Sequence, residues 1–575
     1  MRPAHRVLPV LTATCLLLAG EVLGAPPDSG TLINEQRQPG AALPARLPRP
    51  EPPPEAAPLA DTGARVSVKA IRFTGTGDLA TEAELQALVA DQVGKELGFA
   101  ELQALAARVT AYLREKKGYL LARAYLPGQD LSAGTLEIAI VAGRIDGQVR
   151  LDLAPQSRIQ PALLAQWASR AVAEGRPARM ADLERAVLLA NDLPGLRAQA
   201  SLEPGEAPGT TRVTLHAEEG PLMTGALLAD NLGDRYTGST RVTLQAEAND
   251  PSGAGDQVRL AVIGASDLRQ VWLAYSRPLG QDGLVGNLSY TGLRYELGEE
   301  LSDLGAKGEG DTVSASLTYP IRRSRTSNLW ASLGVEYLRL TDEANGAVTR
   351  QRKLPVAHVS LTANRYDDLF GGGLSSASAS LHAGDLDLSD VPDAKADDAA
   401  GPRAAGGFMR ASYSLARLQR VTERASLMGA LRGQWAADNL DSSQKFILGG
   451  PSGVRAYPVG EAAADEGHAF TLEARLDLPP LPGKVVPQAV AFLDTGWVRL
   501  NHDPWPGAVS NLTGKNNYGL SGAGLGLNVA KPGSFDLRIT YAHTLGDNDG
   551  RSLTGQNSDN KHDNHRVWLQ FSAWF

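Results

Sequence analysis

Two short stretches of the sequence carry side chains able to act on one another. FILGGPSGVRAYP, residues 446–458, is a glycine-rich loop of defined shape holding one cation, Arg455, with Val454 and Tyr457 beside it. AFLDTGW, residues 491–497, reads as a strand that puts Asp494 on the same face as Phe492. A carboxylate on the wall of an enclosed lumen needs a cation, and an arginine on a loop folded inward can supply one. The residues alone leave a second arrangement open, in which Arg455 lies in an exposed outer loop and Asp494 faces water in a pore. Either way the chemistry is charge pairing and not bond making.

Other candidates carry less. Gly75-Thr-Gly77 follows a strand and precedes a helix, as a dinucleotide fingerprint does, but the next element is a second helix and not a parallel strand. There is no P-loop sequence, no G-x-S-x-G elbow and no H-E-x-x-H, so no catalytic residue, cofactor or enzyme activity is expected. His562 and His565 in KHDNH could bind a metal, yet they read better as a polar hairpin before the last strand, and no metal is expected. The net charge of -8 leaves no basic footprint for nucleic acid.

The elements that must position Arg455 and Asp494 follow from pattern. The 575 residues exceed one compact domain. They include 61 glycines and only 21% charged residues, and the mean hydropathy is -0.19. Met1 to Arg6 carries two arginines, Val7 to Gly20 is largely apolar, and Gly24 and Ala25 are small, which predicts a signal peptide over 1–24. The one cysteine, Cys15, falls inside it, with Thr14 at a position where a lipoprotein site needs a smaller residue. Residues 25–64 predict a short helix near 29–38 and then a Pro-rich linker. Residues 65–143 read as a β-α-α-β-β unit, with a Thr81/Glu84 capping box, a second helix from Phe99 to Leu113 and strands Tyr119–Leu126 and Thr135–Val141. Residues 144–220 repeat that order, with a strand over Ile145–Leu153 and helices over Ile159–Ala173 and Met180–Leu193.

After Gly220 the helical period vanishes and period-two alternation takes over. Leu333, Val335 and Tyr337 alternate with Ser332, Gly334 and Glu336; Phe535, Leu537, Ile539 and Tyr541 alternate with Asp536, Arg538 and Thr540. Strands are predicted over 240–248, 256–264, 270–277, 284–295, 312–321, 329–340, 354–364, 374–384, 407–416 and 424–436, among others. The polar face is too polar for the core of a soluble sandwich, so the pattern predicts a transmembrane β-barrel over 221–575. At roughly 22 residues per strand and loop, about sixteen antiparallel strands fit. Val567, Leu569, Phe571, Ala573 and Phe575 share one face, and a closing strand that ends on Phe575 resembles the assembly signal of bacterial outer-membrane barrels.

Taken together, Gly450-Pro-Ser-Gly-Val-Arg-Ala-Tyr457, Phe492-Leu-Asp494-Thr-Gly496 and the run Gly118-Tyr119, Pro127-Gly128-Gln129, Leu131, Gly134, Leu136, Gly143-Arg144 resemble the motifs of the two-partner secretion translocators, or hemolysin secretion/activation proteins. The resemblance implies two polypeptide-transport-associated (POTRA) domains before a sixteen-stranded barrel. It also implies an inward-folded loop near 446–468, with motif residues Val454, Arg455 and Tyr457, whose Arg455 pairs with Asp494 of the strand motif Phe492, Asp494 and Gly496. Two departures stand out: Ala456 replaces a Gly, which a left-handed backbone would strain, and Gly128 replaces a Pro, which would loosen its turn. The implied function is export of a large partner protein across the bacterial outer membrane, with activation of that partner as an optional further role and no cofactor, and with the POTRA domains in the periplasm binding the partner in extended form. The other implied partners are outer-membrane lipid and, during biogenesis, the barrel-assembly machinery. An assembly insertase and a plain channel or adhesin are the alternatives.

Overall fold

The computed structural model describes residues 26–37, 43–44, 65–119, 121–172, 177, 179–206 and 210–575. The predicted signal peptide, Cys15 and most of the Pro-rich linker lie outside the described residues.

The first small unit is built as its sequence demands. Thr81 Oγ1 accepts from the Glu84 backbone N–H at 3.3 Å and Glu84 Oε2 accepts from that of Thr81 at 3.0 Å, so two of the open N–H groups at the start of helix Glu82–Val89 are satisfied. That helix and Phe99–Ala111 cover one face of a sheet in which Thr135–Val141 lies between Ala70–Thr74, parallel, and Arg123–Tyr125, antiparallel. Leu85, Val89, Leu105, Val109, Leu136 and Ile138 form the core. Two details differ from the sequence reading. A short strand, Glu96–Gly98, pairs with Arg65–Ser67 between the helices, and the strand expected from Tyr119 begins only at Arg123. The Gly128 turn is not loose: Gln129 donates to the carbonyls of Pro127 (3.3 Å) and Glu137 (2.8 Å) and accepts from the Glu137 N–H (2.6 Å).

The second unit has helices Pro161–Ala171 and Met180–Asn191 on a sheet centred on Thr210–Glu219. The single strand expected over 145–153 is split into Arg144–Ile145 and Arg150–Leu153, because Gly147 takes a positive φ of 74° between them.

The remainder is a closed barrel of sixteen strands, each antiparallel to its neighbours, running from Met223–Asp230 to His565–Trp574. The alternation expected from sequence is realised: Leu333, Val335 and Tyr337 are exposed on the outside. No helix among the described residues is long and apolar enough to cross a membrane. The first and last strands close the ring from Ala226↔Trp574 to Asp230↔Gln570. Phe575 then exchanges two 3.0 Å backbone hydrogen bonds with Gly225, whose missing side chain makes room for the Phe575 ring; a Cβ there would sit 2.6 Å from it.

Short turns gather at the barrel end that meets the second small unit. Trp167 donates to the Gly280 carbonyl at 3.1 Å, Arg185 reaches the carbonyls of Asp282 and Pro320, and Arg323 pairs with Asp192 at 2.7 Å. The turn 250–256 docks there too, through a 2.8 Å bond from the Gln160 N–H to the Gly253 carbonyl. Two of its carboxylates are nearly buried, Asp250 and Asp256 at 2% exposure each. Asp250 Oδ1 accepts from the Gly255 N–H, while Asp256 accepts from the Ser252 N–H and the Tyr275 hydroxyl.

Burial, with Glu219 and Asp256 close by, pushes the Asp250 carboxyl up to about 6. Its folded value lies above the ordinary aspartate value of about 4, so the turn is held most firmly at acid pH and loosens as the pH climbs through about 6. Hydrogen exchange over 250–256 in the full-length protein, corrected for intrinsic rates, should accelerate across that window. Asp250→Asn should flatten the profile, since Asn tolerates the positive φ of 51° at this position.

Candidate functional site

The loop that carries Arg455 leaves the strand Ala425–Ala436 at the barrel end away from the small units and turns down into the lumen before strand Glu466–Asp477. A two-residue ladder, Phe446–Ile447 against Ala463–Ala464, pins its neck. Its tip is shaped by hydrogen bonds from the Val454 N–H to the Leu448 carbonyl (2.8 Å) and from the Tyr457 N–H to the Val454 carbonyl (3.1 Å). Val454, Ala456 and Tyr457 are buried with Phe446, Leu448 and Phe492 in an apolar cluster that glues the loop to the wall.

The structure brings Arg455 and Asp494 together. Arg455 Nε and Nη2 donate to the two Asp494 oxygens at 2.7 and 2.8 Å, a bidentate pair, and the Arg455 N–H adds a third contact at 3.2 Å. The guanidinium lies 3.5 Å over the Phe492 ring, and its remaining nitrogen reaches Glu473 Oε1 at 2.7 Å. Glu473 is shared with Arg475 at 2.7 Å, so two carboxylates face two guanidiniums and the charge balances. Thr471 donates to Asp494 at 2.9 Å, and Trp568 Nε1 donates to the Arg455 carbonyl at 2.8 Å, tying the tip to the last barrel strand. Strand register explains the grouping: Phe492 lies opposite Glu473, and Asp494 opposite Thr471.

Gly496 faces Leu448, which occupies the space a side chain would take. Ala456 does not adopt the left-handed backbone that would have strained it; Ala462, with φ of 58°, is the alanine that does. Room for the Ala456 methyl comes from the neighbouring strand, where Gly522 pairs with Asp494 and a Cβ on it would lie 2.5 Å from that methyl. Phe575 is remote from this site, on the barrel seam. His562 and His565 have separate partners, the Gly555 carbonyl and Asn564, and the described residues contain no group of three or more His, Cys, Asp or Glu side chains placed to hold a metal ion.

A second buried cluster holds the helix Ser29–Arg37, which stands inside the barrel. Arg352, fully buried, donates from Nη1 to Asp28 (2.8 Å), Asp441 (3.0 Å) and Ser442 (2.8 Å), and from Nη2 to Ser29 and Asp342. Asp342 also accepts from the Ser29 N–H at 2.9 Å and the Tyr295 hydroxyl at 2.7 Å. One guanidinium therefore joins the helix, two barrel strands and the root of the loop. Below it Leu32 and Ile33 pack among Leu293, Leu338 and Leu340, and Arg37 pairs with Glu336 at 3.3 Å. In the sequence, Arg352 sits in the charged run TRQRK and gives no sign of burial.

The model of the haemolysin secretion/activation proteins ShlB, FhaC and HecB matches residues 209–529, and that of the ShlB-type POTRA domain matches 66–143. The chain belongs to the haemolysin secretion/activation family. The heme/hemopexin transporter protein HuxB of Haemophilus influenzae (strain 86-028NP) is 27% identical over 496 residues, covering 86% of this chain and 84% of that one. The outer membrane transporter CdiB of Escherichia coli is 26% identical over 520 residues, covering 87% and 84%. The solved structure of CdiB from Escherichia coli superposes with a TM-score of 0.69 at 22% identity, covering 95% of this chain and 96% of that one, so the fold is shared throughout. This member of the haemolysin secretion/activation family thus holds its loop by Arg455 and its helix by Arg352, two separate anchors in one lumen.

The close fit of Ala456 against Gly522 makes a two-step test. Gly522→Val should push the loop tip off the wall and expose it to added protease in intact cells, and Gly522→Val with Ala456→Gly should regain much of the protection.

Proposed function

We propose that Arg455 and Asp494 keep the loop folded in the lumen of an outer-membrane translocator that exports a large partner protein by two-partner secretion, with units 65–143 and 144–220 in the periplasm. The observation that carries this reading is a polar lumen occupied by two elements held to the wall by ion pairs, the loop at Arg455 and the helix at Arg352. A stretch of 27 residues separates Arg37 from Arg65. Fully extended, such a length reaches roughly 90 Å, so the helix can leave the lumen without breaking its tether.

In this reading the partner arrives unfolded and adds as a strand to the sheet edges of the small units, Ala70–Thr74 and Arg123–Tyr125 in the first and Leu196–Pro204 in the second. The helix then vacates the lumen and the chain passes. Folding of the partner outside gives the transfer its direction, with no chemistry performed by the barrel. Phe575, on the last strand, serves as the signal read by the barrel-assembly machinery.

The first experiment compares secreted and outer-membrane proteomes with and without the gene. One or two large exported proteins should disappear while other barrels remain, and a restored Arg455→Ala copy should fail to bring them back although it reaches the membrane. Removing Arg455 strands Asp494 and leaves Glu473 with Arg475 alone, a local cost of about 3–5 kcal/mol. Broad loss of outer-membrane barrels would mean an insertase, and no change in either fraction would mean a channel or adhesin.

The helix has its own test. Arg352→Gln leaves three aspartates without their cation, so in planar bilayers the full-length protein should open far more often than the parent, on the order of 100-fold or more for a buried pair broken at about 3–5 kcal/mol. Equal opening would show that the helix is held by something other than Arg352.

A further inference from the structure

The two occupants do not fill the lumen evenly. The loop covers the wall around Phe492, Gly522 and Trp568. Beneath the helix, a cavity of about 640 Å³ remains against a different sector of the wall. That sector is lined by short hydroxyls: Ser289, Ser314, Ser378, Ser380, Ser412 and Ser414. Strand register sets them side by side, Ser289 opposite Ser314, Ser378 opposite Ser414 and Ser380 opposite Ser412. Toward the periplasmic end the row continues as Thr318 with Ser332, 3.0 Å apart, and Asn328 with Asn364 at 2.8 Å. A strip of short polar side chains thus runs from the barrel mouth, where Arg323 donates to Asn328 at 2.9 Å, to the seat of the helix, where Ser314 lies opposite Glu336.

Charge along the strip is one-sided. Arg37, Arg410 and Arg432 line the cavity against one carboxylate, Glu336. Arg410 is held by neutral acceptors, Gln444 at 3.0 Å and Gln434 at 3.3 Å. Arg432 donates to the Ile447 carbonyl at 2.8 Å and lies over the Phe446 ring. When the helix leaves it takes Arg37 away, and Arg410 and Arg432 still outnumber Glu336.

We propose that this serine-rich sector, from Asn328 and Asn364 up to Ser378, Ser414 and Arg410, is the track on which the exported chain slides in extended form, and that it favours neutral and acidic segments. The assignment rests on the translocator reading and adds to it which wall is used. Conduction needs contacts favourable enough to admit a chain and weak enough to let it go. Hydroxyls and amides on short side chains meet that need, because each can exchange water for a passing backbone N–H or C=O in any register. The two guanidiniums repel basic segments and attract acidic ones. The loop-covered wall offers no comparable strip, and the loop can remain in place during passage.

The test places a photo-crosslinking benzoylphenylalanine at Ser314, Ser378 or Ser414 on the track, and at Thr540 or Gln570 on the other wall, in the full chain in cells exporting its partner. Adducts are detected with antibody to the barrel protein and identified by mass spectrometry. The track positions should trap the protein whose secretion depends on this gene at least tenfold more than Thr540 and Gln570. Equal or stronger trapping at Thr540 and Gln570, or none at any position while export continues, overturns the assignment. If the bulky residue stops export, Ser378→Cys and Thr540→Cys with a short bifunctional reagent give the same comparison, since Cys15 in the predicted leader is the chain's one cysteine. For charge, Arg410→Glu should cut export several-fold and Arg410→Lys should preserve it; unchanged export with Arg410→Glu removes the acidic preference. If deleting the gene alters no exported protein, the translocator reading falls and the track with it.

Discussion

A strand in lipid has no water to satisfy its backbone, so every N–H and C=O in the membrane must find a partner in the next strand. A sheet meets that demand only by closing on itself, and here sixteen strands do so, with Met223–Asp230 paired to His565–Trp574. Closure with this many strands leaves an interior too wide for wall side chains to fill. The inward faces are therefore wet and polar, and anything that blocks the hole must be brought in from a loop or a terminus. The inward loop and the helix Ser29–Arg37 are both answers to the void that closure creates.

The two answers are anchored by the same kind of group and differ in their balance. Around Arg455, two carboxylates meet two guanidiniums, so withdrawing the loop would leave Asp494 and Glu473 with only Arg475 near. Around Arg352, three aspartates share one cation, and the helix supplies one of the three, Asp28. Withdrawing the helix leaves Arg352 with Asp342 and Asp441 and removes a surplus negative charge from a buried site. The balance makes the helix the easier of the two to displace, and the loop the more permanent fixture.

The barrel was legible because lipid and water impose opposite demands on alternate residues. Where that contrast fades, legibility fades with it. The strand expected over 354–364 runs Ala347–Asp367, and the one over 329–340 runs Ser327–Ala344, because their outer ends leave the lipid and lose apolar alternation. The residues around Arg455 and Asp494 marked a charge-pairing site, but their resemblance to known motifs, and not their spacing, brought the two together. Glu473, Thr471 and Trp568 stayed hidden because their place in the site depends on register between strands. Arg352 was hidden for a different reason: burial by a helix more than 300 residues away leaves no trace in TRQRK. The helix itself was readable; its dock was not.

The seam at Phe575 adds a matter of timing. Its two backbone bonds to Gly225 complete the pairing of the first and last strands, and its ring rests where residue 225 has no side chain. A growing chain can form fifteen of the strand pairings in sequence order as each new strand follows its neighbour. The sixteenth joins segments some 350 residues apart and cannot be finished until residue 575 has been made. Until then the sheet has two open edges, each a template for unwanted pairing. The chain must therefore be kept from such pairing until then, and the ring shuts only once its last strand is in place.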